Sequence, residues 1–256
     1  MVNVARKLAW SNVRNLLLPP TCVLCGEGGQ RLTTPADCGG VLAEFDLCAN
    51  CAAGLPVLMR CCRRCAEPLP GNDNAALVCG ACLRTPPRYH TTHCAFSYRH
   101  PVDHLIRALK YHGRLSHARV LGQALACSLL GQFEPAGAMR PEALIPVPLA
   151  RARFNERGFN QAIEIAKTLQ ACLRIPVRAD VVARVRNTRE QADLHRNERR
   201  KNVRGAFAVR APLDIRHVAI VDDVVTTGST VNELARVLKR AGAVRIDVWA
   251  VARAAR

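Results

Sequence analysis

The segment Val218-Ala219-Ile220-Val221-Asp222-Asp223-Val224-Val225-Thr226-Thr227-Gly228-Ser229-Thr230 constrains the fold more than any other stretch of the chain. Its first four residues are apolar and have the length of a short strand buried on both faces. Two adjacent carboxylates follow. Small hydroxyl residues around Gly228 then open residues 231–240, whose apolar positions recur at helical spacing. The turn therefore lies between a buried strand and a helix N-terminus, where N–H groups without intrahelical partners and the positive end of the helix dipole together hold a phosphate. Residues 226–230 contain no lysine, which excludes the nucleoside-triphosphate loop with its Gly-Lys-Ser/Thr ending. A phosphorylated sugar fits better. With the phosphate on Thr226, Thr227, Gly228, Ser229 and Thr230, the carboxylates of Asp222 and Asp223 are placed to accept hydrogen bonds from ribose hydroxyls. Capping a helix would need one such hydroxyl residue rather than the whole run.

The 256 residues, 49% of them apolar, are enough to bury a substantial core and to leave room for a second, smaller domain. A net charge of +17 predicts attraction to polyanions: nucleic acid, pyrophosphate or a membrane surface. Aromatic residues make up only 4%, which argues against a base-stacking platform of the single-strand-binding type. No stretch reaches the roughly 18 uninterrupted apolar residues that span a bilayer. Residues 1–18 carry Lys7 and Arg14 and stop at Pro19-Pro20 without a small-residue cleavage site, so an N-terminal amphipathic helix is expected over residues 1–20 and no signal peptide. A cytoplasmic, reducing compartment follows as an expectation. In it, cysteines bind metal or do redox chemistry more often than they form structural disulfides.

Eleven of the thirteen cysteines lie between Cys22 and Cys94, and eight of them form four C-x2-C knuckles: Cys22/Cys25, Cys48/Cys51, Cys62/Cys65 and Cys79/Cys82. Two intervening residues let a tight turn aim both sulfurs at one ion, and two knuckles complete a tetrahedral Zn²⁺ shell. Pairing neighbours closes the shorter loops, which predicts one ribbon from Cys22, Cys25, Cys48 and Cys51 and a second from Cys62, Cys65, Cys79 and Cys82, with an interleaved pairing as the alternative. Thioredoxin-like redox pairs occur in βαβ context, whereas Pro, Gly and polar residues surround these knuckles. Cys38 and Cys61 are spare or substitute ligands. Cys94, Cys127 and Cys172 sit in apolar surroundings and read as small buried hydrophobes, while His90 and His93 are incidental to a site already four-coordinate. Pro86-Pro87 and the loss of periodicity place a domain boundary between a ribbon domain, residues 21–85, and a domain over residues 93–256. Chelation is then expected to unfold the ribbon domain and spare the sheet.

Beyond that boundary, residues 93–98 read as a strand and residues 102–110 and 120–130 as helices broken near Gly113, with Lys110 at the charged end of the first as a candidate pyrophosphate contact. Residues 143–148 read as the next strand. After it, Arg151, Arg153, Arg157 and Gly158 form a basic loop before an apolar helix over residues 162–173. Arginine suits bidentate phosphate contacts, and a loop at a strand's C-terminal end is where an open α/β sheet places its ligand. Residues 181–207 are strongly basic with weak periodicity. They read as a mobile flap or β-arm that closes over an anionic ligand, or as a nucleic-acid track. Residues 244–252 supply a last strand. Alternating strands and helices predict an open, mostly parallel α/β sheet covered on both faces.

Residues 218–230 resemble the binding loop of type I phosphoribosyltransferases: an apolar strand, two acids, two apolar residues and Thr-Thr-Gly-small-Thr. More narrowly, the chain resembles the ComF family of competence proteins. The similarity rests on the N-terminal knuckles, the LKY-x-G segment ending at Gly113, ERGFNQ at residues 156–161, Thr188 with Gln191, R-x2-NV-x2-AF at residues 199–207 and the loop itself. The extra Cys38 and Cys61 depart from the simple zinc pattern. The resemblance implies a phosphoribosyltransferase-like fold and a role in natural transformation and DNA uptake. It implies that Thr226, Thr227, Gly228, Ser229 and Thr230 hold the 5-phosphate of phosphoribosyl pyrophosphate and that Asp222 and Asp223 hold its ribose. It further implies that Mg²⁺, with Lys110, Arg151, Arg153, Arg157 and Gly158, faces the pyrophosphate, and that Arg189, Gln191, Arg196 and Arg199 lie on the flexible loop. Two functions remain open on the sequence: pentosyl transfer with structural zinc and Mg²⁺, or a non-catalytic module holding single-stranded DNA or a competence-protein partner.

Overall fold

A computed structural model provides the architecture, and it describes residues 21–28, 46–71, 77–133, 139–186 and 202–255. The N-terminal helix expected over residues 1–20, Cys38, Thr188 and the loop residues Arg189, Gln191, Arg196 and Arg199 lie outside the described residues. Contacts divide the chain into two compact units, Met1–Leu55 and Pro56–Arg256. The first carries helix α1 (Ala49–Ala53) and four of the knuckle cysteines. The second carries the sheet together with the other four, so the second cysteine cluster is packed with the α/β core. Composition alone had drawn the line at residues 85–93.

The second unit begins with α2 (Gly80–Arg84), β1 (Thr91–Ser97), α3 (Val102–His112), α4 (Leu115–Phe133) and β2 (Ala143–Pro146). It continues with α5 (Arg151–Arg157), α6 (Gln161–Leu173), β3 (Val182–Arg184), β4 (Phe207–Val209), β5 (His217–Val225), α7 (Ser229–Arg240) and β6 (Arg245–Arg253). Four strands make an open sheet in the order β1-β6-β5-β2, and every pair in it is parallel. A separate antiparallel pair is formed by β3 and β4, which flank the basic segment in sequence.

Central β5 is buried on both faces, with Val218, Ala219, Ile220 and Val221 all at 0% exposure. Its residues point alternately to two helical layers. Val218 and Ile220 join Val231, Leu234 and Leu238 of α7 in one core that also takes Val182 of β3 and Phe207 of β4, while α6 packs against β2 and β5 and α4 against α6. Both edges are covered. Residues 56–58 run along β1 through Leu58 N–H to Ala95 O (3.0 Å), and residues 176–178 run along β2 through Leu144 N–H to Pro176 O (2.8 Å).

This strand order positions the site. Strands β2 and β5 are neighbours, with Pro146 opposite Val221, so the segments leaving their C-terminal ends lie side by side although 75 residues separate those two positions in the chain. The helices that follow the two strands pack on different faces of the sheet, which opens a crevice at that edge.

Candidate functional site

The crevice is a cavity of about 480 Å³ lined by Asp222, Asp223, Thr226, Gly228 and Thr230 on one wall and by Lys110, Arg153, Arg157, Gln161 and Arg184 on the other. Its size falls within the ~300–1,000 Å³ of small-molecule sites. Arg153 and Arg157 reach it together because residues 151–157 form a helical turn and a half, not a loop, so positions i and i+4 share a face. Arg151 falls on the exposed side and does not line the cavity. Gly158 ends α5 with left-handed backbone (φ 76°) and donates its N–H to Phe154 O at 2.8 Å, which redirects the chain so that Asn160 caps α6. Asn160 also donates through Nδ2 to Val147 O (3.0 Å), fixing α6 to the end of β2.

The two acids differ in their surroundings. Asp223 is buried (3% exposed), ion-paired with Lys110 and reached by Gln161 Nε2 at 3.4 Å. Burial alone would push its carboxyl up, but Lys110 and Gln161 hold it below the usual carboxylate value. Lys110 is pulled down by burial and more than restored by Asp223, so its ammonium stays above the ordinary value. Asp222 is partly exposed to the cavity and accepts from Asp223 N–H at 2.9 Å. Burial, and then the neighbouring Asp223 charge, push its carboxyl well above the usual range, and Lys110 offsets this only in part. Lys110 is thus committed to Asp223, and Asp222 is the acid that opens onto the cavity. Gln161 relays this arrangement to Arg157, which donates to Gln161 Oε1 at 3.3 Å and lies 5.3 Å from the centre of the Tyr111 ring.

Gly228 precedes α7 with φ 76°, a conformation that any side chain would strain, and a Cβ there would lie 3.2 Å from the Tyr89 hydroxyl. Its carbonyl accepts the first helical bond, from Asn232 N–H at 2.9 Å. Thr227 Oγ1 accepts a long bond from Ser229 N–H (3.3 Å) and shares a hydrogen with Ser229 Oγ (2.9 Å). Among the described residues, no protein acceptor takes the N–H of Thr226, Thr227 or Gly228. Thr227 and Ser229 turn away from the cavity of the acids and line a second cavity, of about 980 Å³, behind the loop.

The cysteines group as 22/25/48/51 and 62/65/79/82, with the four sulfurs of each group within 4.8 Å of one another. Cys25 and Cys48 sulfurs are 3.8 Å apart and Cys65 and Cys79 sulfurs 3.7 Å. Those are edges of a tetrahedron with Zn–S bonds of about 2.3 Å, whose edge is about 3.8 Å. In each group one thiol is poised as thiolate. Burial pushes Cys22 up, but the N–H groups of Cys25, Cys48 and Leu24 bring it down to about 6. The N–H groups of Cys79, Cys65 and Arg64 do the same for Cys62, to about 7. Cys61 stays outside the group and packs against the sheet core, and none of the twelve described cysteines is in a disulfide. These are two structural zinc ribbons.

The double zinc ribbon domain family matches residues 13–83. DNA utilization protein YhgH of Escherichia coli K12 is 34% identical over 212 residues, covering 83% of this chain and 92% of that protein. The protein of the same name in Salmonella typhimurium is 33% identical with the same coverage. Competence protein F of Haemophilus influenzae is 33% identical over 216 residues, covering 83% of this chain and 93% of that protein. The chain belongs to the ComF family.

In this ComF chain the structure brings Asp222, Asp223, Lys110, Arg153, Arg157 and three loop residues to one cavity and leaves Arg151 and Gly158 out of its lining. Sequence reasoning passed over Gln161, Arg184 and Arg253 as site residues. Gln161 had a signal, lying one helical turn from Arg157. Arg184, in β3, was visible only as one charge of the basic segment over residues 181–207, and Arg253, at the end of β6, had no signal, because only the packed sheet shows where a strand residue points. Among the described residues no helix is long and apolar enough to cross a membrane.

Proposed function

We propose that the cavity binds phosphoribosyl pyrophosphate or a closely related phosphoribosyl ligand. Supporting this is the convergence, in one cavity, of loop amides without protein acceptors, a partly exposed carboxylate and three arginines. The 5-phosphate takes the N–H groups of Thr226, Thr227 and Gly228 and the dipole of α7. The ribose hydroxyls donate to Asp222, while Asp223, fixed by Lys110 and Gln161, sets its register. Arg153, Arg157 and Arg184 face the pyrophosphate, for which Mg²⁺ is the natural companion. In pentosyl transfer these fixed charges stabilise the departing pyrophosphate, the electrostatic contribution that usually dominates. The acceptor enters as a second substrate.

Calorimetry with phosphoribosyl pyrophosphate and Mg²⁺ tests this, and absence of heat with the wild-type chain sinks it. The two acids should separate. Asp222→Asn removes the ligand contact and leaves stability unchanged or slightly higher, because its charge is disfavoured by burial. Asp223→Asn strands Lys110 and costs about 3–5 kcal/mol in urea unfolding. Asp222 keeps its proton above the ordinary carboxylate range, and the ligand needs the anion, so affinity rises with pH as that raised value is passed. An affinity that never rises with pH above the ordinary carboxylate range would remove Asp222 from the contact.

The names of the relatives carry DNA use to this chain as a second, compatible reading, and one observation favours it. The cavity behind the loop is lined by Arg84, Arg88, Arg204, Arg236 and Arg240, and among the described residues Arg236 is the one of these paired with a carboxylate, that of Glu233 at 2.6 Å. The groove lacks an exposed aromatic, so it suits a phosphodiester backbone rather than bases. Four phosphate contacts predict that log affinity for single-stranded DNA falls with log salt at a slope of about −3. Insensitivity to salt, or to Arg84→Glu with Arg240→Glu, would remove the groove from consideration.

A further inference from the structure

Arg253 ends β6 with a side chain that has no exposure to solvent. Its Nε donates to Cys65 O (2.9 Å), its Nη1 to Val225 O (2.9 Å), Ala254 O (2.6 Å) and Thr226 O, and its Nη2 to the Glu67 carboxylate. One buried guanidinium therefore holds the carbonyl of a zinc-ligand residue and the two carbonyls that lead into the phosphate loop. Two neighbouring contacts act alongside it: Thr92 donates through N–H to Arg63 O (3.1 Å) and through Oγ1 to Arg64 O (2.7 Å). All three carbonyls at Arg63, Arg64 and Cys65 are thus claimed by the sheet unit.

The peptide bond is planar and trans, so a carbonyl and the N–H of the following residue point in opposite directions. Drawing Val225 O and Thr226 O toward Arg253 turns the N–H groups of Thr226 and Thr227 away from it, and among the described residues those N–H groups have no protein acceptor. We infer that Arg253 is a positioning residue that orients the anion-binding amides from the second zinc ribbon, so that zinc at Cys62, Cys65, Cys79 and Cys82 and an anion on residues 226–228 support each other. This deepens the phosphoribosyl-ligand reading and rests on it. A buried arginine is a poor choice for stability alone, because well-packed apolar residues do as well or better. The coupling is reciprocal: zinc raises the affinity for the ligand, and the ligand raises the affinity for zinc by the same factor.

The test uses the full zinc-loaded chain as wild type, Arg253→Lys and Glu67→Gln, with Glu27→Gln of the first ribbon as control. Affinity for phosphoribosyl pyrophosphate with Mg²⁺ is read by calorimetry, and zinc retention by competition with a chromogenic chelator, with and without that probe. Expected are wild-type binding, about tenfold or greater weakening in Arg253→Lys, zinc affinity lowered about 10–100-fold at one of the two sites, and probe-dependent protection of zinc in wild type that the variant loses. A structural role alone lowers melting temperature but leaves that protection intact. If Arg253→Lys does not fold, Glu67→Gln, which keeps the guanidinium and its carbonyl contacts, carries the same comparison with smaller changes. Wild-type binding with unchanged affinity and zinc protection in the variants overturns the clasp and leaves the ligand reading standing. A wild-type chain that takes up no probe overturns the ligand reading, and this inference with it.

Discussion

The two zinc ribbons are built on one plan and differ in what holds them. Cys22 N–H donates to Glu27 O (2.9 Å) as Cys62 N–H does to Glu67 O (2.8 Å), and Gly26 N–H returns to Cys22 O (2.9 Å) as Ala66 N–H returns to Cys62 O (2.7 Å). Thr21 bridges Gly28 as Cys61 bridges Pro68. Cys48 opens a five-residue helix, and so does Cys79. In the first ribbon Cys25 is exposed, and the Glu27 carboxylate lies 4.0 Å from its sulfur. In the second, Cys62, Cys65 and Cys82 are buried and the equivalent carboxylate, Glu67, is clasped by Arg253. A repeated metal knuckle is thus a local device. Whether it also supports a distant site depends on the groups that meet its backbone.

The largest expected difference is in the metal shells themselves. Cys65→Ser should lower the thermal midpoint of the sheet by about 6–12 °C, taking roughly 3 kcal/mol at 2–4 °C per kcal/mol for a unit of this size. Cys25→Ser opens the first shell but should leave the midpoint of the sheet within about 2 °C, since that ribbon belongs to the other compact unit and changes away from the sheet's own features stay within about 0.5 kcal/mol. Equal losses in circular dichroism would break the comparison. Full chelation is accordingly expected to weaken the sheet as well as unfold the ribbons. A smaller contrast lies between the paired glutamates: Glu67→Gln removes the charged partner of a buried arginine and costs about 2 kcal/mol in urea unfolding, whereas Glu27→Gln is expected to be near neutral. The smallest concerns the left-handed turn. Gly26 has φ 76° and Ala66 φ 54°. Gly26→Ala should cost about 1 kcal/mol. Ala66→Gly should fall within about 0.5 kcal/mol of neutral, because relief of the left-handed strain offsets the roughly 0.8 kcal/mol of one fully buried methyl. A large loss at Ala66 would mean that its methyl does more in the core than occupy space.

Much of the fold was legible because the signals are local. The apolar run before Asp222 is a buried strand, Gly228 stands at the turn that only glycine adopts freely, and the spacing of eight cysteines gave both clusters in the pairing that short loop closure favours. Residues 151–157 were misread as a loop, since seven residues with three arginines show too little apolar periodicity to mark a helix. The candidate site was legible in its acids and phosphate loop and only in part in its cations. Lys110 and the arginines were visible as charges, but not that Lys110 serves Asp223, that Arg151 faces solvent, that Arg184 lines the cavity, or that Arg253 meets the loop.

The sequence by itself determined the turns, the metal knuckles and the strand-to-helix loop, because each is decided by residue types within a few positions of one another. Only the tertiary structure decided that β2 lies beside β5, so that Arg153 and Arg157 face Asp222, and that β6 ends where Arg253 meets both Cys65 and Thr226. Strand order and the direction of a buried side chain are properties of the whole packed sheet, where burying apolar surface and satisfying every buried polar group are solved together.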